Sequence, residues 1–163
     1  MHQSYEELLT WAYVGEVWGE HVLERLVEDK TFAVEHEHLL LLLALESRTR
    51  QTLEAVVAAY GRDVDTRPTD DEAEQYAQSL AASQDWNAFV RETLDIATSA
   101  LPQSEKMRDL GSARDADALN ETVEHEQAVI SYAQARLTGL DDAAAGAVSA
   151  HLTAWARQPT TAP

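Results

Sequence analysis

The chain contains no cysteine, which removes disulfides, thiolate metal ligands and cysteine nucleophiles together and leaves its compartment unmarked by redox chemistry. Proline and glycine are scarce, four and six in 163 residues, and sit at a few discrete points, so helices have room to run uninterrupted. Basic residues are few as well: 12 Lys and Arg stand against 29 Asp and Glu, a net charge of −17. Neutralising phosphates takes Lys and Arg, so nucleic acid is not expected as a partner, and an anionic membrane surface is disfavoured for the same reason. The longest apolar run, Leu39–Leu45, has seven residues, far short of the roughly 20 that span a bilayer. The opening stretch MHQSYEELLTWAYVGE has no basic segment ahead of an apolar one, so it does not read as a secretory leader; the expectation is a cytoplasmic protein. Gly-rich phosphate loops, a Gly-x-Ser-x-Gly elbow and any His-x-x-x-His pair are missing too, which leaves nucleotide binding, serine hydrolysis and three-His metal sites without support.

What the chain does have is helical periodicity. Abundant Ala and Leu and the lack of an alternating β-branched run point to an all-α protein, one domain over residues 1–157 with a frayed tail at 158–163. The first helix is expected over 4–28, with Ser4 and Glu7 forming a capping box. A short connection at 29–33 then makes an antiparallel hairpin with a second helix that ends at Tyr60-Gly61. A short helix over 70–82, capped by Thr69 and Glu72 after Pro68, is expected in the polar crossover that follows. A third helix runs from Asp85 to about Leu101, where Pro102 calls for a kink or break, and 103–110 is expected to make another turn or two before Gly111. The fourth spans 113–138 and is closed by Gly139. A fifth covers 141–157 with Asp141 or Asp142 as its N-cap. A crossover of this length permits helices two and three to run parallel.

The gaps in the apolar stripes carry the chemistry. Helix two places Leu39, Leu42, Leu43, Leu53, Val56 and Val57 on one face, and where the phase calls for apolar groups near 46, 49 and 50 the chain supplies Glu46, Thr49 and Arg50. Helix one is interrupted by Glu16, and helix four by Glu126. With the first turn near residue 30, facing positions sum to about 61, so Glu16 and Glu46 fall at the same height. A carboxylate in the core phase needs a partner, because burying an unpaired charge is costly. Inward carboxylates on facing helices are how a bundle builds a hard-metal site.

On these three residues the sequence resembles the ferritin-like superfamily over about 4–138. The resemblance implies a four-helix bundle, here with a short crossover helix and an extra C-terminal helix. It places a Glu on helices one and three and a Glu-x-x-His motif on helices two and four. Glu16 would match the first ligand, and Glu46 and Glu126 the Glu of the two motifs. The His positions read Thr49 and Val129, and helix three offers only Glu92 or Asp95, one step off its best apolar phase. The implied function is a di-iron or di-manganese protein for oxygen or peroxide chemistry.

Alternatives stay open beside that reading. A second register pairs Glu35 with His38, a literal Glu-x-x-His, and Glu121 with His125 one turn on, but residues 35–38 open helix two, at the bundle's end. A bland account pairs the mid-helix glutamates with Arg48, Arg50 or Arg136, or with hydroxyls of Thr49, Tyr13 or Tyr132. That gives a structural or vestigial polar core without metal, and an interaction or stress-related protein, dimeric through an exposed helix face.

Overall fold

The computed structural model describes residues 3–30 and 32–156, and among these it contains six helices and no strand. They are α1 (Tyr5–Asp29), α2 (His36–Ala59), α3 (Arg67–Ser83), α4 (Trp86–Leu110), α5 (Ala116–Leu137) and α6 (Asp141–Ala156). Arg157 and the tail expected to fray lie outside the described residues. None of the six is long and apolar enough to cross a membrane.

Local chemistry sets most of the boundaries. Ser4 Oγ accepts from the Glu7 amide and the Glu7 carboxylate accepts from the Ser4 amide, closing the expected capping box. Asp85 caps α4 by accepting from Ala88 N–H at 2.9 Å. Gly61 and Gly139 follow α2 and α5 with φ of 66° and 76°, the left-handed turn that glycine makes without strain.

Three expectations are corrected. α3 starts at Arg67 instead of residue 70, with Pro68 inside its first turn, where a missing N–H costs nothing; Thr69 is buried and does not cap. α4 is not broken at Pro102 and continues as one helix to Leu110, because a single lost backbone bond is outweighed by the buried Ala97, Ser104 and Met107 on either side. Asp141 and Asp142 lie in the first turn of α6, where they favour the helix through its dipole and not as caps.

Two ring clusters mark the ends of the bundle and give the helix directions. At one end Tyr5 and Tyr60 stack edge-on and both donate to Asp115, at 3.1 and 2.6 Å, bringing together the start of α1, the end of α2 and the start of α5. At the other end Phe32 meets Trp86, and Arg136 lies over the Trp86 ring, joining the α1–α2 turn, the start of α4 and the end of α5. So α1 and α5 run one way and α2 and α4 the other. α3 lies along α1 in the same direction, held by His21–Asp70 and Arg25–Glu74 pairs. α6 packs on α5 and α2 through Ala144 and Val148.

The interior is divided. One apolar cluster, containing Leu8, Leu9, Leu53, Val57, Met107 and Leu119, fills the Tyr5 end. A larger one, built around Leu26, Phe32, Leu42, Phe89, Val129 and Tyr132, fills the other. Between them runs a polar belt of buried Glu16, Thr49, Ser104, Glu121, Thr122, His125 and Glu126.

Candidate metal centre

The belt is assembled by helical phase. On α5, Thr122, His125, Glu126 and Val129 share one inward arc at i, i+3, i+4 and i+7, so His125 and Glu126 reach the same space. Glu16 comes from mid-α1 and Glu46 from α2 at matching height, as the hairpin register requires. His125 Nε2 lies 3.8 Å from Glu16 Oε2 and 3.6 Å from Glu46 Oε1. One ligand atom each from Glu16, His125 and Glu126 falls within 4.8 Å of the others, close enough for a single ion to touch all three. Gly19 makes the room for Glu46: a Cβ there would stand 2.5 Å from Glu46 Oε2.

The His125 tautomer follows from its neighbour. Thr49 Oγ donates its one proton to the Leu45 carbonyl at 3.2 Å and lies 2.9 Å from His125 Nδ1. With the hydroxyl proton on the Leu45 carbonyl, Nδ1 is the donor in that contact and Nε2, 3.6–3.8 Å from the carboxylates, is left with its lone pair free. Glu-x-x-Thr, read from the sequence as a lost ligand, turns out to hold the histidine that comes from another helix.

No Lys or Arg among the described residues forms an ion pair with Glu16, Glu46 or Glu126. Arg48 pairs with Glu121, Arg50 with Glu20 and Glu54, and Arg136 with Asp141. Glu16 Oε2 is buried with no hydrogen-bond partner. Burial, then the charges of Glu46 and Glu126, pushes Glu16 well above the ordinary carboxylate range. Burial likewise lifts Glu46 to about 7, while its contact with Glu16 pulls it back. Glu126 rises to about 8 through burial and the Glu46 charge; the Ser104 hydroxyl of α4 offsets part of this without a well-formed hydrogen bond. His125 falls to about 3, by burial first and His151 second. With its carboxylate neighbours protonated, nothing nearby holds a second proton on the ring. The described residues thus gather three carboxyl groups and a histidine in one place and pair no Lys or Arg with them.

The other sequence candidates lie elsewhere. Glu92 is exposed and accepts from Tyr76 Oη, and Asp95 is exposed on the outer side of α4; α4 turns Thr93, Ala97 and Ala100 towards the centre instead. Glu35 and His38 stay at the end of the bundle, His38 packed against Tyr132 and Trp86. Glu121 is fully buried but satisfied, accepting from Arg48 Nε at 3.0 Å and Thr52 Oγ at 2.7 Å. The structure therefore splits the second register and moves His125 into the first. The signal was legible: 125 and 126 both follow 122 on the same arc.

A cavity of about 280 Å³ opens from this cluster outward between α1 and α4, walled by Trp18, Phe89, Ile96 and Ala97 among others. Trp18 packs against Tyr76 of α3, ring centroids 5.0 Å apart, and so lines the cavity from the side of α1 that faces away from α2. Comparison with family models, curated proteins and solved structures gave no match to this chain.

Proposed function

We propose that this chain is a ferritin-like helical bundle whose mid-bundle cluster binds a divalent iron or manganese ion for oxygen or peroxide chemistry. The observation that carries the reading is the missing cation. Three buried carboxyls and an oriented imidazole lone pair converge, while every nearby arginine is engaged elsewhere. Glu16, Glu126 and His125 would hold the ion, with Glu46 beside them as a fourth donor. Three carboxylate oxygens and one nitrogen suit a hard, six-coordinating ion of the iron or manganese type, and the absence of sulfur argues against the softer alternatives. Because α4 contributes no carboxylate, the donor set is sized for one ion more than for two. The up-down-down-up helix directions support the ferritin-like reading.

When bound, such an ion supplies Lewis acidity and one-electron redox chemistry. The chain's own residues do the rest. Thr49 fixes the tautomer of His125, Gly19 admits Glu46, and the carboxyl groups give up their protons as the ion arrives.

A metal-free reading is favoured by one specific observation: burial raises Glu16, Glu46 and Glu126 above the ordinary carboxylate range, which favours the uncharged carboxyl in the absence of an ion. The protein would then be an interaction or stress-related bundle, associating through an exposed face. Elemental analysis of protein purified without chelator separates the two. Near-stoichiometric iron or manganese, lost in both Glu46→Ala and Glu126→Ala, is expected. A wild type that stays empty after both ions are offered removes the metal reading.

A further inference from the structure

We propose that the cavity between α1 and α4 binds an uncharged aromatic molecule of about two rings, seated with one edge against the carboxylate–histidine cluster. Its role as substrate rests on the metal reading above; its binding rests on the cavity alone.

The space is built by omission. α1 turns Gly15 and Gly19, and α4 turns Ala97 and Ala100, towards one another where larger side chains would close the gap. A Cβ placed on Gly15 would meet nothing within 4 Å. The volume of about 280 Å³ is close to twice the roughly 150 Å³ that accommodates a single benzene ring. Trp11, Trp18 and Phe89 present faces and edges along its length, the surroundings that favour an aromatic guest over a saturated chain. The two wall residues with hydroxyls are occupied: Tyr76 Oη donates to Glu92 and Thr93 Oγ to the Phe89 carbonyl. Polar recognition is therefore confined to the inner end.

Charge selects further. An anionic head at the inner end would face Glu16, Glu46 and Glu126. At the mouth, where Trp11 and Ile96 stand 43% and 48% exposed, the adjoining depression is lined by Asp95 and, among the described residues, by no Lys or Arg. In metal-free protein a carboxylate or phosphate thus meets no Lys or Arg among the described residues at either end, which disfavours fatty acids and acidic aromatics, since an unpaired buried charge is costly.

The test is equilibrium dialysis of 1-naphthol and 1-naphthoate, near-isosteres that differ in charge, against metal-free and manganese-loaded protein. Saturable binding of one naphthol per chain is expected, with naphthoate weaker by about tenfold or more in the metal-free protein, where the charge comparison is read. Gly15→Phe, which fills the mouth and replaces a helix-weakening glycine, should abolish naphthol binding while thermal melting and metal content hold. Ala97→Phe closes the inner part as a second blockade. Absence of saturable naphthol binding, equal binding of naphthoate, or full binding in both blocked variants would overturn the proposal. Metal content measured on the same samples keeps the two claims apart: naphthol binding in a chain that takes no metal sustains the cavity ligand and removes its role as substrate, whereas metal without naphthol overturns the ligand alone.

Discussion

Glu121 and Glu126 lie five residues apart on α5 and are both buried, at 0% and 8% exposure, yet the bundle treats them in opposite ways. Glu121 is met by an arginine and a hydroxyl from α2, Arg48 and Thr52, and Arg48 in turn lies over the Trp155 ring of α6. It fastens α2, α5 and α6 together. Glu126 is met by Glu16, Glu46 and a neutral histidine. The chain satisfies one buried carboxylate with an arginine and, less than two turns away, leaves another among carboxyls, the contrast on which the proposed metal site rests. Buried charge alone does not separate structure from function; the identity of the partner does.

The comparison is broken most forcefully from the Glu121 side. Arg48→Ala strands a fully buried carboxylate and removes the contact with Trp155, and should cost about 3 kcal/mol by chemical denaturation, leaving metal uptake intact. A loss of metal together with stability would mean that the two glutamates belong to one site. Next come the neutral isosteres, which should differ in sign. Glu121→Gln weakens two charge-assisted hydrogen bonds and should destabilise by about 1–2 kcal/mol. Glu126→Gln in metal-free protein removes a group that ionises only at a cost, so stability at pH 8 should hold or rise. Equal losses in both would erase the distinction.

A pH series sharpens it. Glu46 and Glu126 have folded-state values of about 7 and 8, above those of the unfolded chain, so the native state binds more protons and these groups lose stability as pH rises. His125 is depressed to about 3 and acts in the other direction, but only below its unfolded value near 6.5. His38 and His151 are depressed by burial in the same direction, so the glutamates act alone from about pH 7.5 to 8.5, where histidine is neutral in both states. Metal-free protein should therefore become less stable over that interval, and Glu126→Gln should flatten the slope. With metal bound the slope should vanish over that interval, because the carboxylate ligands are then deprotonated in the folded and the unfolded chain alike. The smallest effect on stability is expected from Thr49→Val, about 1 kcal/mol for the lost hydrogen bond. Its consequence for metal affinity should be larger, about 10–100-fold, if the threonine orients His125.

Much of this was legible in the sequence, and the limits have physical causes. Glu16, Glu46 and Glu126 stand out because each breaks an apolar stripe, and hairpin register alone brings the first two level. The Ser4 capping box and Asp85 cap are local chemistry and read directly. His125 was visible but assigned to the register of Glu121, since spacing of i, i+4 links it to 121 as well as adjacency links it to 126; only the helix rotation decides, and the neighbours of α5 set that rotation. Thr49 as the holder of a histidine on another helix, and Arg48 as the partner of Glu121, are contacts between elements that no local pattern encodes. Glu92 and Asp95 sat one step off the inward phase of α4, and in the structure that step puts them in solvent. The cavity was hidden for a related reason, because Gly15, Gly19, Ala97 and Ala100 read singly as ordinary helix-packing residues.

The central claim is that the cluster takes its cation from outside the chain. Thermal melting of chelator-stripped protein, with and without manganese or ferrous iron at about 100 times the dissociation constant, tests it most directly. The account predicts a stabilisation of about 2.7 kcal/mol, present in Arg48→Lys and absent in Glu126→Ala. A melting curve that neither ion moves, in wild-type protein at pH 7 to 8, would contradict it.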